Sequence, residues 1–378
     1  MEALAYGRPQ ATRILHAMQA LDFAIVDPHF HHWDPLTTPR AASPFARLLH
    51  RWPRAYDRIA SMVMPQAAKD FIGGTSILYP YLPADYARDA EGLRIDTVVH
   101  VEAGWLQRGR LGVVGETRWL DQLAFEPCGR RLGAIVGHAD LRRADIDEVL
   151  AAHQAASDRL RGIRQKAARH PDRGVLAFCE VPNLYRDPAF LRGFEKLLAR
   201  QLRFDAWVYS HQIPDVVALA KRYPEARIVL DHLGTPVGAG GPVGQHGRVG
   251  ASPQDRKRIF ETWREDLARL GEHKQVHAKL SGLGMPVLGF GFHRRPSPPS
   301  VDELSDAFRP FIHHALDVFG TERAFFASNF PMDQPSAPLG HFFGAYLKLA
   351  KEIGPAAPRL LLRDNALRFY ACDDPPPQ

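Results

Sequence analysis

The sequence predicts an α/β chain folded as a closed (β/α)8 barrel with long loops at the C-terminal ends of its strands. Three observations predict it. Eight short apolar runs rich in β-branched and aromatic residues recur along 378 residues. Amphipathic stretches with apolar residues three or four apart separate most of them. No Gly-rich phosphate turn follows the first run, which disfavours an open doubly wound sheet. Alternation of this kind builds a parallel sheet from right-handed βαβ units, and eight such units can close into a barrel.

The candidate strands are 23–27, 96–103, 132–140, 160–165, 204–210, 226–234, 276–282 and 323–330. The candidate helices are 116–126, 144–156, 188–201, 213–224, 253–270 and 301–320. Asp145 and Asp302 stand near helix starts, where a carboxylate can accept free backbone N–H groups. Gly193 is a cost inside its helix unless packing compensates. Three segments break the rhythm: 35–83, rich in Arg, Pro and aromatics, the Gly-rich 235–253, and 284–300. Each leaves the C-terminal end of a strand, the face that carries barrel active sites. Loops of this length serve as lids or binding walls, and Trp52, Tyr56, Tyr79, Tyr81, Phe290 and Phe292 there can cover a planar ligand or pack the loops down.

Composition fits this architecture. With 45% hydrophobic and 24% charged residues, the chain can bury a large core as one domain spanning 1–378. No apolar run approaches the roughly 20 residues a membrane span requires. The first 25 residues carry Arg8, Arg13, His16 and Asp22 without an apolar block, so no secretory leader is expected. Cys128, Cys179 and Cys372 are an odd, widely spaced set, which fits a reducing, cytoplasmic setting. The net charge of +6 is scattered among 42 acidic residues, so a nucleic-acid footprint is not expected. A mild attraction for small anions is the more modest inference. Exposed barrel helices leave a homodimer open.

The candidate chemistry lies at strand ends. The first strand leads into Asp27-Pro28-His29-Phe30-His31-His32-Trp33-Asp34. Residues two apart share a side of a strand, so His29 and His31 can face the lumen together. Two imidazoles there can hold a divalent cation or polarise a carbonyl; a hydrogen-bonded structural pair is the plainer alternative. His232 follows the sixth apolar run at the rim. The fifth strand delivers Tyr209 and His211 to one side, although His211 begins a loop. Arg164 ends the fourth strand. It calls for an anion, either a substrate carboxylate or an internal partner such as Glu102. Lys279 in the seventh strand is a second lumen cation, or else snorkels to solvent. The eighth strand ends in Ser328-Asn329-Phe330-Pro331-Met332-Asp333.

HFHHWDP after the first strand, VLDHLG at the sixth, AKLSG at the seventh, ASNFP at the eighth and the terminal DNALRFY together resemble the amidohydrolase superfamily. The likeness runs from about Phe23 to Tyr370. Within the superfamily the chain is most similar to the amidohydrolase-2 group, which includes 2-pyrone-4,6-dicarboxylate lactonase and sugar-acid lactonases. The resemblance implies a TIM-barrel hydrolase whose site matches His29 and His31, His232, and an eighth-strand aspartate. It also places Arg164 toward substrate. Asn329 stands at the aspartate position. In the superfamily that aspartate binds metal and takes a proton from the attacking water, and an amide cannot take up a proton at neutral pH. Either Asn329 orients water or substrate, or the base is Asp333, Glu102 or His211. The fourth strand holds no lysine (Lys166 comes just past it), which speaks against a binuclear site.

The expectation is therefore a lactonase acting on a small, carboxylate-bearing cyclic ester. Its cluster of His29, His31 and His232 would grip the carbonyl oxygen directly or through one divalent cation, zinc or manganese; a metal-free site is equally compatible. Arg164, Glu102, Tyr209 and Lys279 are the expected substrate contacts. A non-oxidative decarboxylase on the same barrel and a non-catalytic ligand-binding barrel are the alternatives.

Overall fold

The computed structural model describes residues 18–74 and 76–372. Eight strands form one parallel sheet in the order of the chain: β1 Ile25–Phe30, β2 Ile95–Val101, β3 Arg131–His138, β4 Leu160–Arg164, β5 Arg203–Ala206, β6 Ile228–Leu230, β7 Val276–Leu280 and β8 Ala324–Phe326. The sheet closes between its first and last members. Phe30 pairs with Phe330, His31 N–H donates to the Phe330 carbonyl (2.8 Å), and Asn329 N–H donates to the His29 carbonyl (2.8 Å). Asp27 reinforces this seam from inside, accepting from Ser328 N–H (2.9 Å), Ser328 Oγ (2.5 Å) and Tyr86 Oη (2.7 Å). The expected (β/α)8 barrel is thus the observed architecture. Its strands are buried on both faces, which is why they read as apolar runs rather than alternating ones.

The β1–β2 crossover holds α1 Ser43–Leu49, α2 Pro53–Val63, α3 Gln66–Ile72 and α4 Pro83–Asp89. One main helix then follows each later strand: α5 Val114–Asp121, α6 Ile146–Ala156, α7 Pro188–Ala199, α8 Ile213–Arg222, α9 Pro253–Gly271, α10 Val301–Phe319 and α11 Leu339–Ile353. The C-terminal helix α12, Asn365–Tyr370, packs Leu367, Phe369 and Tyr370 against Val26, Val99 and Phe325. It plugs the end of the barrel opposite the long loops.

The sequence reading anticipated α5 to α10 within a few residues and missed the others. Periodicity fails for α11 because it is apolar nearly all round: Phe342, Phe343, Ala345, Tyr346 and Leu347 are all buried. The crossover helices are short and start at or beside prolines, which pre-set the first helical turn. Two capping expectations are corrected. Asp145 pairs with Arg143 (2.7 Å) instead of capping α6, and Asp302 pairs with Lys348 (2.6 Å). The cap of α10 is Ser300, in a reciprocal box with Glu303. Gly193 is explained by packing, since a Cβ there would lie 1.8 Å from the Leu141 carbonyl oxygen.

The 235–253 and 284–300 loops tie each other down. Gly238 N–H donates to the Val287 carbonyl (3.1 Å) and Gly240 N–H to the Leu288 carbonyl (2.7 Å). Phe290 and Phe292 stack on each other and pack against Phe308.

Candidate functional site

A cavity of about 130 Å³ opens at the C-terminal end of the strands. Its polar wall is His31, Glu102, Arg164, Lys166, His232 and Asn329, and its apolar wall includes Trp33, Phe178, Trp207 and Met332. Each polar group arrives on a strand end or the turn after it, so the barrel positions them without long loops.

The two cavity imidazoles are held differently. His31 Nδ1 donates to the Val101 carbonyl (2.7 Å). A carbonyl only accepts, so the neutral ring keeps its proton on Nδ1 and leaves the Nε2 lone pair toward the cavity. His232 Nδ1 lies 2.9 Å from Ser281 Oγ, a hydroxyl able to donate or accept. Burial pushes both rings down to about 3, so both are neutral at pH 7. His232 holds a positive φ of 54° at the end of β6, a strained setting of the kind that clusters at functional sites. Gly282 makes room for it: a Cβ at that glycine would meet the His232 ring at 2.6 Å.

Behind the imidazoles lies a buried charge cluster. Lys279 Nζ contacts Asp205 Oδ2 (2.5 Å), Asp231 Oδ1 (3.0 Å) and His29 Nδ1 (3.1 Å). Arg164 gives Nε to Glu102 Oε1 (2.8 Å) and Nη2 to the Glu102 carbonyl (2.8 Å). Its Nη1 reaches His29 Nε2 (3.3 Å) and Asp231 Oδ2 (3.4 Å). Lys166 Nζ adds a second cation to Glu102 Oε1 (3.0 Å). Burial works against the charge on Glu102, yet Lys166 and Arg164 hold it ionised, below the ordinary carboxylate range. Burial raises Asp205 to about 6 despite Lys279.

A family model described as amidohydrolase matches residues 26–371. The chain belongs to the amidohydrolase family. An uncharacterised protein of Sinorhizobium fredii is 30% identical over 92% of this chain and 99% of its own length. An L-fucono-1,5-lactonase of Burkholderia ambifaria is 29% identical over 65% of this chain and 72% of its own. A crystal structure of an amidohydrolase from Burkholderia multivorans with bound HEPES superposes with a TM-score of 0.67, at 25% identity over 93% of this chain and 100% of that one. A second crystal form of that target contains zinc.

In this amidohydrolase, His29, Asp231 and His232 offer donor atoms within 4.8 Å of one another, a set that could hold a metal ion. His31 is not part of it; Asp231 takes the place expected for that ring. Yet the donors already face cations. Lys279 and Arg164 contact both nitrogens of His29 and both carboxylate oxygens of Asp231. A divalent ion there would sit within a few ångströms of an ammonium and a guanidinium, where like charges repel strongly at low dielectric. The donor set therefore does not fit a divalent cation while the Lys279 ammonium and the Arg164 guanidinium are in place.

The remaining expected site residues are distributed as follows. His29 sits behind the cavity, between Lys279 and Arg164. Lys279 is wholly buried and serves Asp205 and Asp231, not a substrate anion. Glu102 lines the cavity as the internal partner of Arg164. Tyr209 and His211 lie off the cavity wall: Tyr209 Oη donates to the Leu176 carbonyl (2.6 Å), and His211 packs against His170. Asn329, at φ 56°, lines the cavity and donates Nδ2 to Asp333 Oδ1 (2.7 Å). Asp333 itself is behind the wall, and burial pushes its carboxyl up to about 8.

That shift makes a stability prediction. A carboxyl raised in the folded state keeps its proton where the unfolded chain has lost it. Its contribution is complete below about pH 4 and is lost progressively as pH rises to about 8. Over that window the Asp333 contribution falls by about 1.4 kcal/mol per pH unit. Asp333→Asn removes this slope; denaturant titrations of parent and variant at pH 5, 6, 7 and 8 read it out. Parallel pH profiles would show that Asp333 is ionised in the fold.

Asp231, Asp205 and Trp207 were not among the candidate site residues, and Lys166 was weighed only as a metal-bridging lysine. Asp231 adjoins His232 and Lys166 is two residues from Arg164, so the signal was local. What marks them is convergence across strands, which one chain does not display.

Proposed function

We propose that this amidohydrolase is a lactonase that opens a cyclic ester by attack of water. The observation that carries the proposal is the His31 tautomer imposed by the Val101 carbonyl, which leaves an unprotonated Nε2 for the cavity at the strand ends. Of the cavity residues, His31 and His232 are the neutral groups with an unprotonated ring nitrogen. The Glu102 carboxylate is taken up by Arg164 and Lys166, Asn329 is an amide, and Arg164 and Lys166 are cations.

His31 Nε2 takes the proton from water as its oxygen bonds to the carbonyl carbon. Asn329 orients that water, with its own amide fixed by Asp333. His232, with Ser281 donating to Nδ1, presents Nε2–H to the developing oxyanion. Collapse breaks the ring C–O bond, and the His31 imidazolium returns its proton to the leaving alkoxide. The 29% identity to an L-fucono-1,5-lactonase supports this reaction class.

Charge balance supports a neutral ring over an anionic one. Arg164, Lys166 and Lys279 face Glu102, Asp205 and Asp231, and four of the five Arg164 N–H bonds already have protein acceptors. The product carboxylate falls to Lys166, a half-buried ammonium on the cavity wall. A reducing cytoplasm fits the unpaired thiols of Cys128 and Cys179, and no helix among the described residues is long and apolar enough to cross a membrane.

A panel of γ- and δ-lactones, neutral and carboxylated, followed by pH-indicator assay tests the proposal. Ring opening that is lost in His31→Gln supports it. Carbon dioxide release from unsaturated acids in place of ring opening would favour the decarboxylase alternative, and binding without turnover would favour a ligand-binding barrel.

A further inference from the structure

The 35–83 crossover encloses a second cavity, of about 440 Å³. Its wall is almost wholly apolar, with Phe45, Tyr56, Ile59, Ala60, Met64 and Ala68 among its residues. It shares Ile72, Ile77, Ala103 and Lys166 with the catalytic cavity, so the two are neighbouring compartments with a common wall. Polar groups are confined to that junction. Lys166 is held by Glu102 (3.0 Å), and Arg40 by Glu116 (3.2 Å). The Tyr56 hydroxyl is satisfied by the Leu78 carbonyl, to which it donates (3.1 Å). At the rim, Phe45 and Val63 are 49% and 60% exposed and give the chamber an apolar approach.

Ligand pockets of several hundred cubic ångströms with apolar walls and a few convergent polar groups take drug-sized molecules. A polyhydroxylated sugar lactone would leave its hydroxyls unpaired against such a wall. We propose that the crossover chamber receives an aliphatic substituent of the substrate, so that the enzyme acts on lactones carrying a medium-length alkyl chain. The polar ring lies among His31, His232 and Asn329, and the chain passes Ile72 and Ile77 into the chamber. This rests on the lactonase reading for the reaction and on the chamber alone for the chain.

The experiment measures kcat/KM for γ- and δ-lactones whose unbranched alkyl group grows from methyl to decyl. The chamber predicts a rise of about fourfold per methylene until it is full, the factor expected for burying one CH₂. Ala60→Trp and Ala68→Trp, which fill the chamber, shorten the optimum by several carbons; melting curves confirm that each variant folds. A flat or falling series, or an unchanged optimum in both variants, overturns the proposal. Calorimetric titration of straight-chain carboxylates from butanoate to dodecanoate separates this from failure of the lactonase reading. Affinity rising with length and lost in the tryptophan variants supports the chamber even if no lactone is opened, and length-independent affinity refutes it. Should the variants instead change sedimentation behaviour at constant chain preference, the chamber wall is an interface between copies of this chain and the proposal fails.

Discussion

His31→Gln lowers kcat on the responsive lactone by about 10²–10⁴-fold, the range expected for losing a positioned general base. KM changes little, because glutamine has similar bulk and still reaches the cavity. The prediction follows from one hydrogen bond. The Val101 carbonyl can only accept, so His31 is the ring whose free nitrogen faces the cavity in its neutral form. The pH profile supplies a second check. A base must be deprotonated to act, and burial holds this ring at about 3. The rate therefore stays level from pH 7 to 5, with no limb near the ordinary imidazole value of about 6.5. A loss under tenfold in His31→Gln would remove His31 from this role; an acid limb at 6.5 that vanishes with the substitution would keep the role and refute the lowered ring.

Lys279→Met lowers folding stability by about 3–5 kcal/mol, because it leaves Asp205 buried without a cation and Asp231 with Arg164 alone. Asp205 and Asp231 are both fully buried, and Lys279 Nζ is within 3.0 Å of each. The same substitution should convert the site toward metal binding. With the ammonium gone, His29 Nδ1 and Asp231 Oδ1 lose their cation and Asp205 is left without one, Arg164 remaining on Asp231 Oδ2, and zinc would then stabilise the fold by mass action. Melting temperatures with and without zinc test this: the variant gains and the parent does not. Equal gains in both proteins would show that Lys279 and a divalent ion do not compete. Should Lys279→Met fold too poorly to purify, Asp205→Asn/Lys279→Met removes one carboxylate with the ammonium and leaves the metal test intact.

The fold was largely legible because parallel strands buried on both faces read as apolar runs, and the helices packed on them have one wet side. Legibility failed where those conditions fail. Helix α11 is buried nearly all round and carries no periodicity to read. The crossover helices are short, and their role is to wall a chamber, a property of three segments together. At the site, strand alternation brought His29 and His31 to the lumen, but it could not rank them. Closure of the barrel put His31 against the cavity and His29 behind it, between Lys279 and Arg164. Arg164 likewise had two candidate anions in the sequence, and the structure sets one of them, Glu102, at 2.8 Å from it.

What the sequence by itself determined is the alternation of strands and helices and the residue types delivered to each strand end, because both depend on neighbours along the chain. What only the tertiary structure decided is which charges cancel and which imidazole keeps a free lone pair. Electrostatic balance and tautomer depend on groups from different strands, here Val101, Asp205, Asp231 and Lys279, brought within hydrogen-bond distance only when the barrel closes.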